Sequence, residues 1–301
     1  MRRLRFCWLC KCCREEGDFQ WNDFREGIQW KAEPKTPQEH LDHPPCNHPY
    51  MRIKGFSAHT FRLDVCHISD VHGVMGHLAG NVLKELVYDQ LPSTPAINLR
   101  TVYNRIEELY KDFGIVDRVT NLTLNMFVDP KGVSTSYPNL SAKAAETKHL
   151  NKVLLQLCVE NHRGTEHDDH RLAACQGMCH FYAATQTAAP HLQDSEVALM
   201  KRGINMFLSH YQWLSAEAFG NNTFQYNVVP KFHFFYHLGE QGEFENPRLS
   251  SCYKMEDFIG KICAMAHACC CGTKTHAIPW KVGEKYICLI HLRLTLDCFQ
   301  D

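Results

Sequence analysis

His233 and His237 stand four residues apart in the run VPKFHFFYHLGEQGEFENPRLSSCYKMEDFIGKI, residues 229–262. On a helix that spacing puts both rings on one face, where two histidines can ligate a metal with an acid such as Glu240. Zinc enzymes that use the spacing usually carry a glutamate between the histidines; here Phe234, Phe235 and Tyr236 fill the gap. The plainer alternative is a pair of hydrogen-bonded core histidines on an aromatic helix. Arg248 follows inside a bend marked by Gly239, Gly242 and Pro247, and the acidic pair Glu256-Asp257 then opens an apolar helix.

A second acidic stretch is FRLDVCHISDVHG, residues 61–73, with Asp64, His67, Asp70 and His72. Carboxylates on separate elements can hold two Mg²⁺ ions that clamp the attacking and leaving oxygens of a phosphodiester. Asp64 with Glu256 or Asp257 suits that chemistry. The alternative is that Asp64 caps a helix or pairs with Arg62 or Arg248. Glu256 would then lie in a first helical turn, where the dipole favours it. A third signal is Cys7-x-x-Cys10, half a zinc site by spacing. His40, His43, Cys46 and His48 are the candidates for its other two ligands. The run EHDDH at 166–170 reads as a metal cluster or, more simply, as a solvated helix start.

Period and punctuation give the elements that must position these groups. Phe61, Leu63 and Val65 alternate with Arg62 and Asp64, which predicts a short strand over 60–66. From Val71 the period becomes helical: Val71, Val74, Leu78, Val82 and Leu86 form a stripe that ends before Pro92. Asn98 is the predicted cap of the next helix and Gly114 its stop. Residues 118–128 alternate enough to predict an extended segment. Ser141 is the predicted cap of a helix reaching about Val159. Leu172, Cys175, Cys179 and Tyr182 mark another. Val197, Met200, Ile204, Phe207, Tyr211 and Leu214 mark a long one ended by Gly220-Asn221-Asn222. The helix from Met255 breaks at Cys269–Gly272, and Pro279 opens the last.

At 301 residues, with 45% hydrophobic and 22% charged residues, the chain is long enough for a large core or two domains. A net charge of −1 leaves only a local surface for nucleic acid. No run approaches about 18 uninterrupted apolar residues, so no membrane span is expected. MRRLRFCWLCKCC does not read as a signal peptide. The 16 cysteines, many on predicted helices, are therefore expected as reduced thiols of a nuclear or cytoplasmic protein.

FRLDVCHISDVHGVMGHLAGNVLKEL resembles the "D-x-M-H … G … G-x-x-L" segment of transposase-like proteins. SAKAAETKHL and KFHFFYHL with NPRLSSCYKMEDFIGKI are similar to further blocks in the same order. Over nearly its whole length the chain resembles a family of transposon-derived proteins. More remotely, in short blocks, it resembles CACTA-type transposases, whose catalytic domain is an RNase H-like fold interrupted by helices. The resemblance implies DNA cleavage and strand transfer through carboxylate-bound Mg²⁺, with Asp64 and His67 on the D-x-M-H block and Glu256 on the late helix. Cys66 stands where the block has methionine. The first catalytic aspartate should precede Asp64, yet Asp18 and Asp23 sit in irregular sequence.

The expected fold is therefore mainly α: a helical domain with a few short strands, a truncated RNase H-like α/β remnant. An irregular Cys/His-rich leader spans 1–57. One helical transposase-like domain spans 58–301, with 98–220 as a helical insertion. The expected function is that of a catalytically inactive transposase-derived protein with DNA as its implied partner. Its rivals are an active metal-dependent strand transferase and a helical protein-interaction module.

Overall fold

The stripes read from sequence become helices in the computed structural model, which describes residues 7–14, 17, 19–36, 39, 53–55, 60, 62–129, 131–133 and 135–297. The side chains of Lys254, Glu256, Asp257 and residues 292–297 fall outside that description. In chain order the α-helices are α1 (Gln29–Ala32), α2 (Val74–Lys84), α3 (Pro95–Asp112), α4 (Ala144–His149) and α5 (Asn151–Glu160). There follow α6 (Glu166–Ala184), α7 (Asp194–Gly220), α8 (Pro230–Gln241), α9 (Tyr253–Cys270) and α10 (Ile278–Asp297). Wider π-helical turns, Cys66–Asp70 and Glu85–Gln90, lie just before and just after α2. The fold is mainly α, and the described residues contain no sheet, only two isolated bridges, Cys10 with Pro34 and Cys13 with Gln20.

The chain divides into two compact units, Met1–Ser251 and Cys252–Asp301. In the first, α6 and α7 cross with their backbones touching. A Cβ on Gly177 would stand 2.6 Å from the Gly203 carbonyl oxygen, and one on Gly203 2.6 Å from the Gly177 oxygen. Gly177→Ala should push the helices apart and cost about 1–3 kcal/mol. An unchanged denaturant midpoint would contradict so close an approach.

Helix α8 lies between this pair and the N-terminal segment. Phe232 and Phe235 point into the core, where Phe207 lies 5.7 and 5.5 Å from them and Phe181 4.8 Å from Phe235. Its other side meets Trp8 through Phe234 at 4.7 Å and Trp30 through Tyr236 at 5.0 Å. Of the residues expected to be buried, Ile204, Phe207, Tyr211, Leu154 and Leu157 are buried, and Val197 is half-buried. The second unit consists of α9 and α10, with Phe258 packed on Tyr286 at 5.5 Å. No helix among the described residues is long and apolar enough to cross a membrane.

Several local expectations are corrected. The strand predicted over 60–66 does not form at Arg62–Cys66: residues 62–64 are irregular and a helical turn starts at Val65. Among the described residues no neighbouring strand offers a ladder. Side chains pair the Leu63 backbone instead, its N–H donating to Gln241 Oε1 at 2.8 Å and its carbonyl accepting from Ser250 Oγ at 2.9 Å. The alternation recorded burial of Leu63 and Val65, not strand pairing. Residues 118–128 are loop with one 3₁₀ turn, Leu124–Met126. Asn98 is no cap, because α3 starts at Pro95; its buried amide instead ties Val87, Leu91 and Ser93 carbonyls together. Ser141 is no cap either. The Lys143 N–H donates to Glu146 at the start of α4, and the predicted single helix is broken at Leu150. Gly114 does stop α3, at φ +63°, where it costs no Cβ clash.

EHDDH also departs from a solvated start. Thr165 caps α6, but Asp168 and Arg171 are fully buried. Arg171 donates to Glu85 at 2.7 Å and Asp168 at 2.8 Å. His167 joins Glu85 at 3.0 Å, and the Tyr226 hydroxyl donates to the same carboxylate.

Candidate metal centre

Residues 7–36 fold over the histidine face of α8, and three cysteines carry the contact. Cys7, Cys10 and Cys12 are 2%, 1% and 0% exposed. Their sulfurs and one ring nitrogen of His233 all lie within 4.8 Å of one another, so this group could hold a metal ion. The Cys10 sulfur is 3.2 Å from His233 Nε2, and the Cys7 sulfur 3.5 Å from His237 Nε2. The two Nε2 atoms are 3.1 Å apart. Around a tetrahedral zinc, two nitrogens sit roughly 3.3 Å apart and a nitrogen and sulfur roughly 3.5 Å apart. The spacings in the protein are close to those edges.

The far side of each imidazole fixes its orientation. His233 Nδ1 lies 2.9 Å from the Trp21 carbonyl, which can only accept, so Nδ1 carries the hydrogen. His237 Nδ1 is held in the same way by the Glu240 carboxylate. His233 then turns an Nε2 lone pair toward the thiols, whereas burial works against the charge of His237 but Cys7 and Glu240 outweigh it and raise that ring to about 9, favouring a proton on its Nε2. Two lone pairs at 3.1 Å repel unless a cation lies between them, either a proton on one nitrogen or a metal. A ligating histidine that donates its other N–H to a carbonyl or carboxylate is the usual arrangement at protein metals.

The surroundings agree with this. Trp30, fully buried, lies 4.3 Å from the His233 ring and 6.0 Å from the His237 ring, and its Nε1 donates to the Asp23 carbonyl. The Leu9 N–H donates to the Cys7 sulfur at 3.3 Å. Buried Lys35 donates to the Cys7 carbonyl. Burial pushes the Cys7 thiol up, but contacts with Cys10, Cys12, His233 and His237 outweigh it and favour the thiolate. Burial holds His233 below its usual range, which keeps its Nε2 lone pair available.

The sequence contains both halves of this centre but not their meeting. The pair at Cys7 and Cys10 reads as half a zinc site, and the pair at His233 and His237 reads separately as metal ligands or core residues. They are 223 or more residues apart. His40, His43, Cys46 and His48, the partners offered for the cysteines, lie outside the described residues. Cys12 carries no spacing signal of its own. Glu240 acts on the back of His237 rather than joining it at the cluster.

The acidic candidates are placed differently. Asp64 begins the turn before α2: its Oδ1 accepts from the Cys66 N–H at 3.0 Å, and its Oδ2 pairs with His67 at 2.5 Å. Asp70 is buried and accepts from the Tyr182 hydroxyl. Arg248 donates to the Gln186 carbonyl at 2.7 Å. Glu256 and Asp257 belong to α9, and their side chains lie outside the described residues, as does Asp18. No protein-family model, curated protein or solved structure matches the chain.

Proposed function

We propose that the cysteine–histidine cluster is a structural zinc centre that fastens residues 7–36 to α8. The observation that carries this is three buried thiols grouped with the back-bonded imidazole of His233, with a second back-bonded ring, His237, 3.5 Å from the Cys7 sulfur. Mixed sulfur and nitrogen donors in a roughly tetrahedral spacing suit Zn²⁺ over Mg²⁺ or Ca²⁺, which take oxygen. Cys7, Cys10 and His233 supply three ligands. The site is closed by protein, as structural zinc sites are, whereas catalytic ones keep an open position. Native mass spectrometry of the purified chain should show the mass of a single zinc, absent from Cys10→Ser and His233→Ala. A metal-free wild-type spectrum after expression with added zinc would refute the reading.

At the level of biological role, we propose a transposase-derived protein that has kept its helical scaffold without strand-transfer chemistry. The support is that two blocks resembling the transposase family pack on each other. Leu63 is held by Gln241 and Ser250, Arg62 pairs with Glu245, and Lys231 donates to the Val71 and His72 carbonyls. Asp64 is engaged there as a turn cap. Supercoiled DNA incubated with the pure protein in Mg²⁺ or Mn²⁺ should stay intact. Nicking lost in both Asp64→Ala and Glu256→Ala would establish the active strand transferase instead.

A further inference from the structure

Cys7, Cys10, Cys12 and His233 have their ligand atoms within 4.8 Å of one another, His237 borders that group as a fifth donor, and a tetrahedral zinc takes four. Cys7, Cys10 and His233 are shared by two such sets. Cys12 completes one set, since its sulfur lies within 4.8 Å of all three. His237 completes another, with its Nε2 3.5 Å from the Cys7 sulfur and 3.1 Å from His233 Nε2. Neither competitor is turned away. Cys12 is 0% exposed and His237 3% exposed, and Glu240 behind His237 aims Nε2 inward.

Resting on the zinc reading, we propose that Cys12 and His237 alternate as the fourth ligand, so that the centre exists in a three-thiolate and a two-thiolate form. The exchange balances without any outside reagent. When His237 binds, its Nε2 lone pair replaces the Cys12 thiolate, and the proton that Nε2 gives up passes to the released sulfur. Total charge is unchanged. Either donor alone keeps the metal, so losing one to mutation or to thiol chemistry does not empty the site.

The test uses the full chain with Cys12→Ser, His237→Gln and the double variant, dialysed against a competing chelator and then assayed for zinc. Wild type and both single variants should each keep the metal, and the double variant should lose it. In parallel, Co²⁺ is substituted for zinc and the near-ultraviolet thiolate-to-cobalt band measured. That band grows with the number of bound thiolates, so His237→Gln should show about one and a half times the intensity of Cys12→Ser, three sulfurs against two. This comparison needs only the single variants, so it stands even if the double variant fails to fold. A single variant that empties the site, equal cobalt bands, or a double variant that keeps zinc would each overturn the alternation. Absence of zinc from wild type would instead remove the zinc reading beneath it.

Discussion

Removing zinc with a chelator should release residues 7–36 from the helical body and lower the melting temperature by several degrees. The helices from α2 onward should remain folded. Structural zinc in small peptides contributes about 10–16 kcal/mol, and a ligand held at 1,000 times its Kd adds about 4 kcal/mol to apparent stability. On the zinc reading, the centre adds to the packing that already holds the segment, among it Trp30 on α8 and the Phe24 N–H donating to Gln212. The α6–α7 core does not depend on it. Limited proteolysis should therefore cut within residues 7–36 only after chelation, and added zinc should restore protection. Equal protection with and without chelator would contradict a fastening role.

The second large effect should come from Arg171→Ala. The guanidinium is 0% exposed and pairs with Glu85 and Asp168, which are themselves buried. Removing one partner of a buried ion pair leaves an uncompensated charge and costs about 3–5 kcal/mol. The exposed pair Arg105–Glu160 makes the contrast, since such pairs are worth about 0–1 kcal/mol. Thermal melts of Arg171→Ala and Arg105→Ala should differ accordingly, and similar small losses would contradict the buried network.

The same network sets a pH dependence. Burial works against the charge of His167, but Glu85 and Glu217 outweigh it and raise the group from 6.5 to about 9. Its folded value lies above the unfolded one, so its contribution is complete below about pH 6.5 and is lost as pH rises through about 9. Asp168 runs the other way. Burial again opposes the charge, but the Arg163 N–H, Thr165 and Arg171 lower it to about 2. Its contribution is present above about pH 4 and fades as pH falls toward about 2. His167→Gln should flatten the alkaline limb of the melting profile.

Much of the helical scaffold was legible because burial and period coincide. Val74, Leu78, Val82 and Leu86 face the core as their spacing requires, and so do Ile204, Phe207 and Tyr211. Period alone misleads where burial has another origin. Leu63 and Val65 alternate because one loop is covered, and the Leu63 backbone pairs with the side chains of Gln241 and Ser250 rather than with a strand. Asp168 and Arg171 look solvated by residue type, yet each supplies the other's counter-charge inside the core. The cysteine–histidine cluster shows the sharper limit. Ligand spacing is a local signal, and Cys7 and His237 meet only because α8 turns its histidine face to a segment 230 residues earlier. Nothing local in either half records that meeting.

Extended X-ray absorption at the zinc edge of the purified protein reads the atoms that hold the metal. The expected first shell is mixed, with sulfur at about 2.3 Å and imidazole nitrogen at about 2.0–2.1 Å. In Cys10→Ser the zinc signal should fall away. A shell of oxygen and nitrogen without sulfur, or no zinc bound at all, would contradict the account.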